Sequence, residues 1–174
     1  MSLLRRCHQT QVALQFVELN TPVSIIALET GLSVPMLRRM YIEHTGQRPP
    51  RGVLPFSADW FLQWRPNIHA SLFANLYVDL MRTKLTAPER LTAAYRHYLS
   101  ELACFDDSET LLSMARAWTL LRFCRSQILQ LTPCHRCQAC YISAAYQPSN
   151  NFTCGICHTP SHAGYRHRSK QLHT

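Results

Sequence analysis

The order of apolar and polar positions predicts a chain made mainly of helices. Val12, Phe16 and Leu19 recur at helical spacing, which places a first helix over about Leu3 to Leu19. Thr21 reads as an N-cap with Pro22 at the first helical position, so a short helix is expected next, to about Glu29. Gly31 marks a tight turn. Ser33 then caps a third helix, about Val34 to His44, with Val34, Leu37, Met40 and Tyr41 on one face and Gly46 at its end. Pro49, Pro50, Arg51 and Gly52 break the pattern.

Beyond the break lies an aromatic cluster, Phe56, Trp60, Phe61 and Trp64, entered through Ser57 as a cap. These rings read as core or partner contacts, because Trp60 and Trp64 stand one helical turn apart. Pro66 interrupts. Asn67 caps a further helix to about Lys84, striped by Ile68, Leu72, Leu76 and Leu80. Thr86 and Pro88 open another, ending near Cys104. The longest helix is expected from a cap at Asp107 or Ser108 to about Leu131, with Leu111, Ala115, Trp118, Leu121, Ile128 and Leu131 facing inward, until Pro133 stops it.

The pattern changes at Cys134. Strand-like pieces, Tyr141 to Tyr146 and Asn151 to Cys154, flank a turn at Gln147-Pro148-Ser149-Asn150-Asn151. The tail from Thr159 is basic and polar. The expected division is a helical body over 1–132, with a helix-turn-helix-like segment at about 21–45, and a small lobe with a basic tail over 133–174.

Cysteine spacing gives that lobe its chemistry. Cys134-x2-Cys137 is succeeded after sixteen residues by Cys154-x2-Cys157. A Cys-x2-Cys pair at a tight turn aims two sulfurs at one point about 2.3 Å away, and two such pairs complete a tetrahedron around zinc. Between Cys134 and Cys157 the large apolar groups are Tyr141, Ile142, Tyr146, Phe152 and Ile156. Ordering backbone costs roughly 1–2 kcal/mol per residue, more than this small set offsets. A structural zinc contributes on the order of 10–16 kcal/mol in comparable peptides, so one zinc ion per chain is expected to fold the lobe. Cys140 forms a rival pair with Cys137 and leaves the register open. Four sulfur ligands leave no position for a reacting water, and no His-Glu-x-x-His or His-x-Glu motif accompanies them, so no enzyme and no small-molecule substrate is expected. Cys7, Cys104 and Cys124 lie in helical stretches and read as plain thiols.

Charge adds a partner class. The net charge is +8. Glu109 is the last acidic residue; beyond it stand Arg116, Arg122, Arg125, Arg136, Arg166, Arg168 and Lys170. One-sided positive charge is the footprint of a nucleic-acid binder. In the helix-turn-helix-like segment Arg38 and Arg39 leave the apolar face, with Arg48 and Arg51 beyond them as phosphate anchors. Arg166, Arg168 and Lys170 are the corresponding candidates in the tail. DNA is the expected partner, with an RNA-associated zinc-ribbon protein as the alternative. Arg5 and Arg6 precede no apolar stretch, and no apolar run approaches the roughly 20 residues that span a bilayer. A cytoplasmic chain without a membrane partner is expected.

Four stretches together resemble one family. They are Gly52-Val53-Leu54-Pro55-Phe56-Ser57-Ala58-Asp59-Trp60-Phe61, Asn67-Ile68-His69-Ala70-Ser71, Arg116-Ala117-Trp118-Thr119-Leu120 and the four cysteines. In this order they resemble the FlhC family, the C subunit of the bacterial flagellar transcriptional activator. The resemblance implies a mostly helical protein in a hetero-oligomer with FlhD. That complex would bind flagellar operon promoters and activate transcription by σ70 RNA polymerase. It also implies Cys134, Cys137, Cys154 and Cys157 as zinc ligands, with Cys140 a departure from the pattern.

Overall fold

The computed structural model describes residues 2–50, 57–104, 110–146 and 151–161. Three helices open the chain: α1 (Leu3–Glu18), α2 (Val23–Thr30) and α3 (Val34–Thr45). Gly31 ends α2 at φ 71° and returns its N–H to the Ala27 carbonyl, a left-handed cap that a side chain would strain. Thr21 does not cap α2; Pro22 takes that position, and Thr21 is buried at the corner, where its carbonyl accepts from the Tyr41 hydroxyl. That bond ties α3 to the chain entering α2.

A 3-10 turn (Asp59–Leu62) leads into α4 (Trp64–Asp79). Pro66 does not interrupt α4. It sits in the first turn, where its missing N–H would have had no helical partner. Asn67, expected as a cap, therefore lies inside the helix. A second 3-10 turn (Leu80–Arg82) precedes α5 (Ala87–Cys104).

The expected longest helix is shorter. Ser113 caps α6 (Met114–Arg125), its side chain accepting from the Arg116 N–H at 3.3 Å. The expected caps Asp107 and Ser108 lie outside the described residues. Gln127, at φ 54°, turns the chain out of helical geometry, and Ile128 donates its N–H back to the Phe123 carbonyl. The chain then enters a strand, β1 (Leu129–Pro133), antiparallel to β2 (Cys140–Ala144) with Leu131 opposite Ile142. The strand expected at Asn151 to Cys154 does not form; the partner of β2 is β1. The division expected at 132/133 falls inside β1.

One core joins these elements. Phe16, Ile25, Ile26, Leu37, Phe61, Phe73, Tyr98, Leu112 and Leu120 are buried together, and Leu129 and Ile142 of the hairpin join the same cluster. A two-stranded hairpin is marginal alone; here its inner face completes a helical core. Polar ties brace the helices: Trp118 Nε1 donates to Glu29 Oε1 at 2.7 Å, and Thr92 Oγ1 to Gln15 Oε1 at 2.8 Å. Among the described residues no helix is long and apolar enough to cross a membrane.

Candidate metal centre and nucleic-acid interface

The hairpin builds the first half of the metal centre. Its loop runs from Cys134 to Ala139, closed by Cys134 N–H to the Ala139 carbonyl at 2.9 Å and Gln138 N–H to the Cys134 carbonyl at 2.8 Å. Gln138 takes φ 62° to make the reversal. The first Cys-x2-Cys pair is therefore the tip of a β-hairpin. The second is a turn in which His158 donates its N–H to the Cys154 carbonyl at 3.0 Å. His135 N–H reaches the Phe152 carbonyl at 2.9 Å and stitches the two together.

Cys134, Cys137, Cys154 and Cys157 offer sulfurs that all lie within 4.8 Å of one another. A tetrahedron with metal–sulfur bonds of about 2.3 Å has edges of about 3.8 Å. The Cys137 and Cys154 sulfurs are 3.8 Å apart. Cys134 and Cys154 are buried, Cys157 is half-buried and Cys137 is exposed. Cys140, the rival in the sequence, belongs to β2 and stands outside the cluster.

The backbone already favours anionic sulfur here. The N–H of Cys137, then that of Cys154, hold the Cys134 thiol down to about 6. Burial pushes the Cys154 thiol up, but N–H groups from Cys157 and Ile156 outweigh it and leave it lowered. Cys154 N–H lies 3.3 Å from the Cys134 sulfur, and Cys157 N–H 3.4 Å from the Cys154 sulfur. Cys157 is pushed up to about 12, because hydrogen bonds to the Cys137 and Cys154 sulfurs hold its proton. The donor set thus combines stabilised thiolates with protons shared between sulfurs, and a divalent cation would displace those protons. Four sulfurs close the coordination shell, so such an ion would be structural.

α4 carries a residue that no motif in the sequence assigns to this centre. Trp64 Nε1 donates to the Gly155 carbonyl, between Cys154 and Cys157, at 2.9 Å. A Cβ at position 155 would lie 2.6 Å from Trp64 Cδ1, so only glycine fits beneath the ring. The helical spacing of Trp60 and Trp64 suggests core or partner contacts; Trp64 instead packs on the second cysteine turn. A glycine inside a Cys-x2-Cys pair is the one sequence signal of this close approach.

The segment read as helix-turn-helix-like contains α2, a connection at 31–33, and α3. Leu37 and Tyr41 face the core, while Arg38 and Arg39 are exposed. Arg38 shares a cleft with exposed Arg48, beside Ser24 and Ile42. Arg39 faces the other flank, beside Arg6, Glu43 and His44. Arg51, Arg166, Arg168 and Lys170 lie outside the described residues. Among the described residues, three cations of the acid-free stretch make internal contacts: Arg116 lies over the Trp60 ring at 3.9 Å, Arg122 over Trp118 at 4.8 Å, and Arg136 Nη1 donates to the Cys157 carbonyl at 3.3 Å.

A family model described as flagellar transcriptional activator (FlhC) matches residues 1–170. The flagellar transcriptional regulator FlhC of Sodalis glossinidius is 42% identical over 163 residues, spanning 93% of this chain and 83% of that one. The Proteus mirabilis regulator of the same name is 39% identical over 163 residues, spanning 93% and 84%. That of Paraburkholderia atlantica is 39% identical over 171 residues, spanning 98% and 79%.

Proposed function

The chain belongs to the FlhC family of flagellar transcriptional activators, and from that premise we propose that it is a DNA-binding subunit acting with FlhD at flagellar operon promoters. In this reading the complex works in the cytoplasm and recruits the σ70 form of RNA polymerase. One observation carries the DNA-binding part: α3 buries Leu37 and Tyr41 and leaves Arg38 and Arg39 to solvent, with Arg48 close to Arg38. Helix-turn-helix proteins lay their second helix in the major groove, and Arg suits both guanine edges and phosphates. Arg51, Arg166, Arg168 and Lys170 are proposed as further phosphate contacts. They would add affinity without reading sequence.

The metal is proposed to be one zinc ion per chain, held by Cys134, Cys137, Cys154 and Cys157. The all-sulfur set and the tetrahedral spacing support zinc over oxygen-seeking cations. Its job is to hold the hairpin tip and the second cysteine turn together.

The test is co-purification with FlhD, metal analysis, and a gel shift on a flagellar promoter over a range of salt. The expected result is one zinc per chain and a promoter preference over scrambled duplex. Affinity should fall with salt by roughly 0.9 log units per neutralised phosphate per decade. Equal affinity for promoter and scrambled DNA overturns the reading. A preference for structured RNA favours the RNA-associated alternative.

A further inference from the structure

Among the described residues, β2 has β1 on one edge and no strand on the other. Exposed edges carry unmet N–H and C=O groups. Here a stripe of side chains on α4 meets them. Asn67 Nδ2 donates to the Ile142 carbonyl at 2.7 Å, and Ser71 Oγ accepts from the Ile142 N–H at 2.9 Å. Asn75 Nδ2 donates to the Cys140 carbonyl at 2.9 Å. Trp64 extends the stripe to the Gly155 carbonyl at 2.9 Å. The four residues are spaced by three, four and four, which is one face of a helix.

Each of the three polar members is itself fixed. Asn67 also donates to the Phe61 carbonyl at 2.9 Å, Ser71 to the Asn67 carbonyl at 2.6 Å, and Asn75 to the Ser71 carbonyl at 2.8 Å. The two ends of the stripe grip the two halves of the cysteine centre. Cys140 stands three residues after Cys137, and Gly155 lies between Cys154 and Cys157.

We infer that Trp64, Asn67, Ser71 and Asn75 are positioning residues that set the attitude of the four-cysteine lobe on the helical body, and that promoter discrimination depends on this attitude. Apolar packing alone would hold the hairpin on α4 but would let it slide. Hydrogen bonds to named backbone groups fix register and angle. A duplex that meets cations on both α3 and the lobe requires those two surfaces in one rigid frame. A looseness of about 1 Å in a supporting shell is enough to degrade a binding site. The inference rests on the DNA-binding reading above.

The test uses the full-length chain in complex with FlhD. Asn67→Leu with Asn75→Leu removes both amide donors while keeping the number and branching of side-chain heavy atoms and without new charge. The expected result is unchanged zinc content and helical circular dichroism, faster hydrogen exchange at the Ile142 amide, and a promoter affinity about tenfold lower with non-specific DNA affinity within about twofold. Promoter affinity within about twofold of the parent overturns the inference, as does an equal fall for promoter and non-specific DNA. If the double variant does not fold, Trp64→Phe, which removes one N–H donor, is measured the same way and judged by the same two outcomes. Absence of promoter preference in the parent complex is a different failure: it sinks the DNA-binding reading and, with it, this inference.

Discussion

Gly155→Ala tests the contact between α4 and the second cysteine turn. The added methyl would stand 2.6 Å from Trp64 Cδ1 and 3.1 Å from Trp64 Nε1. Carbon atoms in contact prefer about 3.5–4.0 Å, so the ring or the turn must move by about 1 Å. Trp64 cannot move that far and keep its 2.9 Å bond to the Gly155 carbonyl. The turn cannot yield freely either, because Cys154 and Cys157 on each side are held in the sulfur cluster. Overpacking of this kind costs about 1–3 kcal/mol, and the lost hydrogen bond about 0.5–1.5 kcal/mol. The expected destabilisation of the metal-loaded protein is about 2–4 kcal/mol, or a fall in Tm of about 5–15 °C for a chain of this size. Backbone strain is not part of this cost, since Gly155 lacks the positive φ of Gly31 and Gly46. Urea unfolding monitored by tryptophan fluorescence gives the number, and a double-mutant cycle isolates its cause. In a Trp64→Ala background the same Gly155→Ala change should cost less than about 0.5 kcal/mol. A cost that is additive in the two backgrounds, or a single variant as stable as the parent, refutes the steric argument.

Cys154→Ser should lower zinc content below one per chain and weaken protection of the 151–161 segment against proteolysis; an unchanged metal ratio by elemental analysis would contradict the ligand assignment. Cobalt substitution of the parent should give the absorption of a four-thiolate tetrahedral site, and bands of a mixed nitrogen–sulfur site would exclude that donor set. Arg38→Ala with Arg39→Ala should leave the fold and the FlhD complex intact and flatten the salt dependence of promoter binding by up to about 1.8 log units per decade if both contact phosphates; an unchanged slope and affinity would make α3 a packing helix. Burial pushes the hydroxyls of Tyr41 and Tyr98 up to about 12, in Tyr98 against a lowering bond from the Leu112 N–H. An unfolded tyrosine titrates near about 10. Between those values the folded chain keeps protons that the unfolded chain releases, so stability should fall as pH rises from about 10, by about 1.4 kcal/mol per unit for each tyrosine, as read by urea midpoints. Flat midpoints between about pH 10 and 12 would refute it.

The sequence by itself determined the first three helices and the presence of two Cys-x2-Cys pairs, with Cys140 left as a rival to Cys134. Periodicity placed Phe16, Leu37 and Tyr41 inward, and Gly31 and Gly46 stop α2 and α3 because both take a left-handed φ. These are local signals: the residue that caps a helix or faces its core acts within one turn of itself. The Cys-x2-Cys pairs are local too, since each turn is closed by its own backbone. Tertiary structure decided the rest. Leu129 and Leu131 suit a strand as well as a helix, and only pairing with Ala144 and Ile142 selects the strand. Ser71 and Asn75 read as ordinary helix positions and Asn67 as a cap, because their partners at Ile142 and Cys140 lie 65 to 75 residues away in the chain. The four-sulfur cluster was therefore legible in the cysteine spacing up to the choice between Cys134 and Cys140, which the hairpin decides by placing Cys140 in β2. The way the lobe is held, by one polar face of α4 and a glycine under Trp64, depends on contacts between distant segments, and no local pattern encodes them.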